Sequence, residues 1–316
     1  MPTSTRHRLP RLAIWAALVV VAAACSKPAT SGDTGVAPDG LVALVATGDK
    51  TTLVGWDGSG NEAIPIKLPK GNVTWVATGL QDVLAAVRDD GTSATSDPVH
   101  LGQTLAWRTV DAKDPTGKPP AGPAFFAAWE PAGGRYAMLA GDLLAGEGIR
   151  VVLIDPTVST AFEIAIDGPV VAAPPVWIDD DRLVVVTGDA SAPIATIVDA
   201  TTGAQAAGPS GDRLLATSAD GKRVATMADQ GAPIVIRDMA GWLAGDGSSI
   251  ASIEPPNGSS TAITFALDTD GQRLAIAWAA KDGSVTLAVH DGRSGWRRTS
   301  KPPIGQAKGA VVAWRR

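Results

Sequence analysis

Cysteine is all but missing from this chain: of 316 residues only Cys25 carries a thiol, so no intrachain disulfide can form. Histidine is nearly as scarce, at His7, His100 and His290. Zinc sites need clustered His and Cys, and nucleophilic hydrolysis needs a Ser or Cys activated by His, so both chemistries lack their residues. No Gly-x-Ser-x-Gly elbow occurs, and no Gly-rich phosphate loop follows a strand and opens a helix. Clustered Lys and Arg are absent too, which argues against nucleic-acid binding because phosphate contacts need them. The longest apolar run, Leu12–Ala24, has 13 residues. As a helix it would be about 20 Å long, too short for a hydrocarbon core of about 30 Å. No amphipathic helical pattern of about ten residues or more appears, which argues against α/β folds.

The first 40 residues have the order of an export signal. Met1–Arg11 is basic, with Arg6, Arg8 and Arg11 and no acid, and the apolar run then ends in Ala22-Ala23-Ala24-Cys25. Small residues directly before a cysteine resemble the bacterial lipobox, with Ala22 where that motif prefers Leu. The resemblance implies removal of residues 1–24 and a diacylglyceryl group on the Cys25 thiol. Removing that segment takes the formal charge from −5 to −8. Such a domain has no polybasic attraction to anionic lipid, so membrane contact would rest on the acyl anchor. Residues 25–40, rich in Ser, Thr, Gly and Pro, read as a flexible tether with a reach on the order of 20 Å. Residues 41–316 then form one domain.

That domain repeats. An apolar, β-branched segment ending in Asp recurs at Thr51–Asp57, Thr104–Asp111, Arg150–Asp155, Ile194–Asp199, Pro233–Asp238 and Val285–Asp291. Upstream lies a pair of short apolar segments, the first often ending in Trp (Trp75, Trp129, Trp177) and the second opening after Arg135, Arg182, Arg223 or Arg273. Each unit therefore reads as four short strands in about 40–50 residues, the size of a WD-type propeller blade. The chain opens on what looks like a second strand, Leu41–Thr47, and ends on what looks like a first strand, Ala310–Trp314. Pairing the two would close a ring. The expected fold is an all-β propeller of six four-stranded blades, or seven if an irregular blade lies in a long loop such as 112–122. The turn Trp129-Glu-Pro-Ala-Gly133, followed by Arg135 and an apolar strand, is similar to the repeats of TolB-type propellers. The resemblance supports the fold and carries no partner or activity across.

Two functional classes follow. One is a lipid-anchored, extracytoplasmic scaffold, monomeric in its domain, that presents loops to an envelope protein or glycan. Trp242 and Trp296, both in turn regions, would be its contact anchors if exposed. The other is an enzyme with an axial site, metal-dependent and lactonase-like or quinoprotein-like. Its only candidate calcium ligands are Asp179, Asp181, Asp268 and Asp270, all in acidic turns, and Asp199-Ala-Thr-Thr-Gly203 is a single quinoprotein-like turn.

Overall fold

The computed structural model describes residues 38–58, 62–101, 105–110, 124–143, 145–158, 160–256 and 260–316. They form six antiparallel four-stranded sheets. Blade 1 joins β24 (Gly309–Trp314) to β1 (Leu41–Thr47), β2 (Lys50–Gly55) and β3 (Ile64–Ile66). Blade 2 comprises β4 (Val73–Thr78), β5 (Leu84–Arg88), β6 (Ser93–Ser96) and β7 (Trp107–Val110). In blade 3 the strands are β8 (Ala124–Trp129), β9 (Tyr136–Asp142), β10 (Glu147–Asp155) and β11 (Thr160–Ala165). Blade 4 holds β12 (Val176–Trp177), β13 (Arg182–Thr187), β14 (Ile194–Asp199) and β15 (Gln205–Ser210). Blade 5 holds β16 (Leu214–Thr217), β17 (Arg223–Met227), β18 (Ile234–Asp238), the short helix α1 (Met239–Leu243) and β19 (Ala251–Ile253). Blade 6 is β20 (Thr261–Leu267), β21 (Arg273–Ala279), β22 (Val285–Asp291) and β23 (Arg297–Ser300).

The first strands pack in the order β24, β4, β8, β12, β16, β20 and back to β24, so they form the inner ring of a six-bladed propeller. The ring closes as the termini imply: β1 and β24 pair antiparallel from Leu41↔Trp314 to Ala46↔Gly309. The inner edge of blade 1 is thus supplied by the last strand of the chain, which leaves no gap between the first and last blades.

Alternation along the strands builds the core. Leu41, Ala43 and Val45 point to blade 6, where they meet Ala275, Ala277 and Leu287. Val42 and Leu44, one residue out of step, point to blade 2 and meet Val73, Val76 and Leu84. Each of the six junctions between neighbouring blades holds one such apolar cluster. A strand packed on both faces must be apolar throughout, and this explains runs such as Leu-Val-Ala-Leu-Val and Val-Val-Leu-Ile.

Blade 2 departs from the sequence reading. Trp107–Val110 is its fourth strand and pairs with β6, whose sequence Ser-Ala-Thr-Ser is followed directly by Asp97. The phased aspartate of this blade is therefore Asp97 rather than Asp111. The third strand was hidden because it is small and polar, although all four of its residues are buried. Ser93 bonds the Tyr136 hydroxyl of blade 3 at 2.6 Å, and Ser96 Oγ accepts from the Leu84 amide at 2.9 Å, which satisfies two of its hydroxyls. Trp75 likewise lies within β4 rather than at its end. It donates to Ala127 O at 2.9 Å and sets its ring edge-on to Phe126 at 4.9 Å.

Candidate functional site at one mouth of the ring

Thr217 Oγ1 of blade 5 donates to Trp177 O of blade 4 at 2.9 Å, and Thr78 of blade 2 donates to Trp314 O of blade 1. These bonds join strand end to strand end, so the inner strands run the same way and their turns into the second strands gather at one mouth. The inner strands themselves carry only Gly, Ala, Val, Leu, Ile, Phe, Trp and Thr. Ionisable groups enter at the mouth, in the inner turns.

These turns share a construction. Glu130 closes the first strand of blade 3, accepts from the Gly134 and Arg135 amides at 3.0 Å each, and receives Arg135 Nε at 2.7 Å. Asp268 does the same in blade 6, taking Gln272 N at 2.8 Å, Arg273 N at 2.9 Å and Arg273 Nε at 2.7 Å. Ser218 accepts from the Arg223 amide at 3.0 Å in blade 5, and Asp179 accepts from Arg182 N at 2.8 Å in the shorter turn of blade 4. The held arginines then reach the next blade. Arg135 lies 5.5 Å from the Trp177 ring centroid, and Arg273 lies 4.4 Å from that of Trp314. The same two indoles donate back, Trp177 to Ala128 O at 2.8 Å and Trp314 to Ala266 O at 2.9 Å. An acid, an arginine and a tryptophan thus latch blade 3 to 4 and blade 6 to 1. Sequence reading found the arginines and the tryptophans; it missed Glu130 and took Asp268 for a calcium candidate rather than an arginine clamp, although the constant five-residue spacing to Arg135 and Arg273 was visible.

The calcium candidates fall in these turns, and three of the four have carboxylate oxygens paired with arginine. Asp179 pairs with Arg182 at 2.6 Å, Asp268 with Arg273, and Asp270 with Arg293 at 3.3 Å, while Asp181 is exposed. Burial pushes the Asp268 carboxyl up despite its bonds to Arg273. Among the described residues no three His, Cys, Asp or Glu side chains gather closely enough to hold a metal.

Trp242 is not a surface anchor. It is 4 % exposed, lies on α1 in the wedge between blades 4 and 5, and donates to Asp212 Oδ2 at 3.0 Å. The glycines around it hid a helix whose Met239 and Trp242 both face inward; Asp238 caps it, accepting from the Gly241 amide. Trp296, at φ 61°, is partly buried against the cluster between blades 5 and 6, and its carbonyl accepts from His290 Nδ1 at 3.1 Å. His100 is an exposed loop residue. Cys25 lies outside the described residues. An apolar cleft of about 350 Å³, which sequence reading did not anticipate, lies between blade 1 and the 303–305 segment, lined by Val45, Val54, Ala63 and Ile304 with Glu62.

Aspartates also cap the outer turns. The Ser191 hydroxyl and amide hold Asp189 below its usual 3.8, Ser284 does the same for Asp282, and the Thr202 amide and hydroxyl lower Asp199. A carboxyl with a depressed folded-state pKa contributes stability that is fully present above its unfolded value and lost as pH falls through the folded one. The thermal midpoint, followed by circular dichroism, should therefore fall as pH drops below 3.8; a midpoint that rises on acidification would contradict these caps.

No family model and no curated protein matches the sequence. Among solved structures, TolB from Acinetobacter baumannii superposes with a TM-score of 0.61 at 14 % identity, over 89 % of this chain and 68 % of that one. The β-propeller domain of Cps50 (Swd1) from Myceliophteria thermophila gives a TM-score of 0.47 at 18 % identity, over 72 % of this chain and 68 % of that one. Hydrazine synthase of Kuenenia stuttgartiensis gives 0.46 at 13 %, over 76 % and 68 %. At these identities the likeness is one of fold, and the chain has a TolB-like, six-bladed β-propeller fold.

Proposed function

We propose that the chain is an extracytoplasmic lipoprotein, anchored through Cys25, whose propeller is a binding scaffold for a protein or glycan of the cell envelope. The observation that carries this reading is the division of chemistry within the ring. The inner strands are apolar and without ionisable groups, whereas charged turns crowd the mouth. Recognition surfaces are built from loops on a rigid scaffold, and this ring supplies both. The N-terminal side of the domain agrees with a tether. Gly40 donates to Trp56 O at 3.1 Å and its carbonyl accepts from Arg315 at 2.7 Å, so the chain enters blade 1 at the same mouth. Trp296 and the turns around the mouth are the surfaces offered for contact.

The test is chemical cross-linking in intact cells expressing the wild type or Cys25→Ala, followed by purification of the adducts. A partner joined to the wild type and lost from the unanchored variant is the expected result. Identical adducts from both forms, or none from either, would overturn the reading.

A further inference from the structure

Two of the wedges between blades are closed in the same way. Blade 5 turns from its third strand to its fourth through α1, and Trp242 of that turn fills the wedge facing blade 4. Its indole N–H donates to Asp212, in the link 211–213 that enters the first strand of blade 5. Blade 6 turns from β22 to β23 through 292–296, and Trp296 of that turn packs into the wedge facing blade 5. In both, the turn between third and fourth strands supplies an indole to the side that meets the preceding blade.

Blade 1 has the same two walls and no ring between them. Its turn from third to fourth strand, Asp57-Gly-Ser-Gly-Asn-Glu-Ala63, holds no aromatic side chain and nothing apolar larger than alanine. The wedge facing blade 6 is bounded by that turn and by the link into β24, where Pro303, Ile304 and Gly305 lie. Between them runs the apolar cleft of about 350 Å³, within the range of roughly 300–1,000 Å³ usual for small-ligand sites. Its floor is Val54, Ala63 and Ile304, each only partly buried against the cluster that joins blades 6 and 1. Thr47, Thr52 and Glu62 line it and are all exposed, so the cleft opens to solvent. Glu62 makes no hydrogen bond or ion pair with any described residue. A carboxylate thus stands beside the open cleft, as that of Asp212 stands beside Trp242.

We propose that this cleft between blades 6 and 1 receives a tryptophan side chain of a partner polypeptide, with the ring on Val54 and Ile304 and the indole N–H donating to Glu62. Complementarity selects the occupant: the floor takes a flat apolar body, and the free carboxylate takes a donor and rejects an anion. Tryptophan combines the two, and it is the residue that this chain places in the wedges of blades 5 and 6. The site belongs to the outer strands of blade 1 rather than to the inner turns at the mouth. It therefore adds a second contact surface to the scaffold reading. It is tested without any partner, so it can fail while capture from cells succeeds, and the reverse.

The experiment is methyl NMR of the full-length chain in lipid nanodiscs, titrated with N-acetyl-tryptophanamide. The expected result is a set of shifts confined to the methyls of Val45, Val54 and Ile304, saturating with a Kd on the order of 1 mM. The analogue methylated on the indole nitrogen lacks the donor, and N-acetyl-leucinamide lacks the ring. Each should bind about tenfold more weakly or worse. Glu62→Ala should weaken N-acetyl-tryptophanamide by about the same factor, because a hydrogen bond to a charged group is lost. Its thermal midpoint should match the wild type, since the side chain is exposed and unpaired. The proposal is overturned if N-acetyl-tryptophanamide leaves these methyls unshifted, if either analogue binds as tightly, or if Glu62→Ala binds as the wild type does. Equal shifts at Val184 and Leu215, in the wedge that Trp242 already fills, would also overturn it, because they would show unselective apolar binding.

Discussion

A chain ending at Lys308 is expected to show no cooperative thermal transition. The deletion removes β24, all six of whose residues are buried, and with it the inner strand of blade 1. Alternate residues of β24 serve two junctions: Ala310, Val312 and Trp314 pack toward blade 6, and Val311 and Ala313 toward blade 2. Its backbone pairs with β1 over six positions, and its carbonyls receive Thr264 of blade 6 at 3.1 Å and Thr78 of blade 2. Burying a Val, Leu or Phe side chain is worth about 1.5–3 kcal/mol, so two valines and a tryptophan, counted at the same rate, represent about 4.5–9 kcal/mol. That is comparable with the whole stability of a typical domain, about 5–15 kcal/mol. The ring has no disulfide to hold it in reserve, since Cys25 is the only cysteine. Trp314→Ala, by contrast, should lower the midpoint at a cost of about 3–5 kcal/mol while keeping a cooperative melt. A cooperative transition in the deleted chain, read by circular dichroism, would show that blade 1 closes without its last strand.

Cys25→Ala should move the protein from the membrane fraction to the soluble fraction. The apolar run before Cys25 is about 20 Å long as a helix and is part of the segment expected to be cleaved. Among the described residues no helix is long and apolar enough to cross a membrane. Without residues 1–24 the chain would carry a formal charge of −8 and would be repelled by anionic lipid rather than drawn to it. Retention would then depend on acyl chains, each contributing about 0.8 kcal/mol per buried CH₂, with two or more needed for durable anchoring. Wild-type protein should therefore remain with membranes through a high-salt wash that leaves Cys25→Ala in solution. Persistence of the variant in washed membranes would place the anchor elsewhere.

Much of the fold was legible because blades repeat and apolar strands buried on both faces leave long β-branched runs. The aspartates at 57, 155, 199, 238 and 291 close third strands, and Arg135, Arg182, Arg223 and Arg273 open second strands. Closure was legible too, since Leu41–Thr47 lacked a preceding strand and Ala310–Trp314 lacked a following one. The reading failed where polarity hides burial. Ser93–Ser96 looks like a loop, yet it is buried, with the Ser93 and Ser96 hydroxyls finding partners across strands and blades. It failed again at Trp242, where surrounding glycines masked a short helix turned inward against Asp212. The mouth was less legible for a different reason. The bond between Asp82 and Arg315 spans 233 residues of sequence, and nothing local marks either as a partner of the other.

The acyl anchor at Cys25 is the premise of the envelope role, and one measurement tests it most directly. It is the intact mass of the protein extracted from its own cells' membranes, with fragmentation of the N-terminal peptide. The expected result is a chain that begins at Cys25, lacks residues 1–24, and carries a diacylglyceryl group on the thiol. A chain that retains its first residues, or begins elsewhere with an unmodified Cys25, would contradict it.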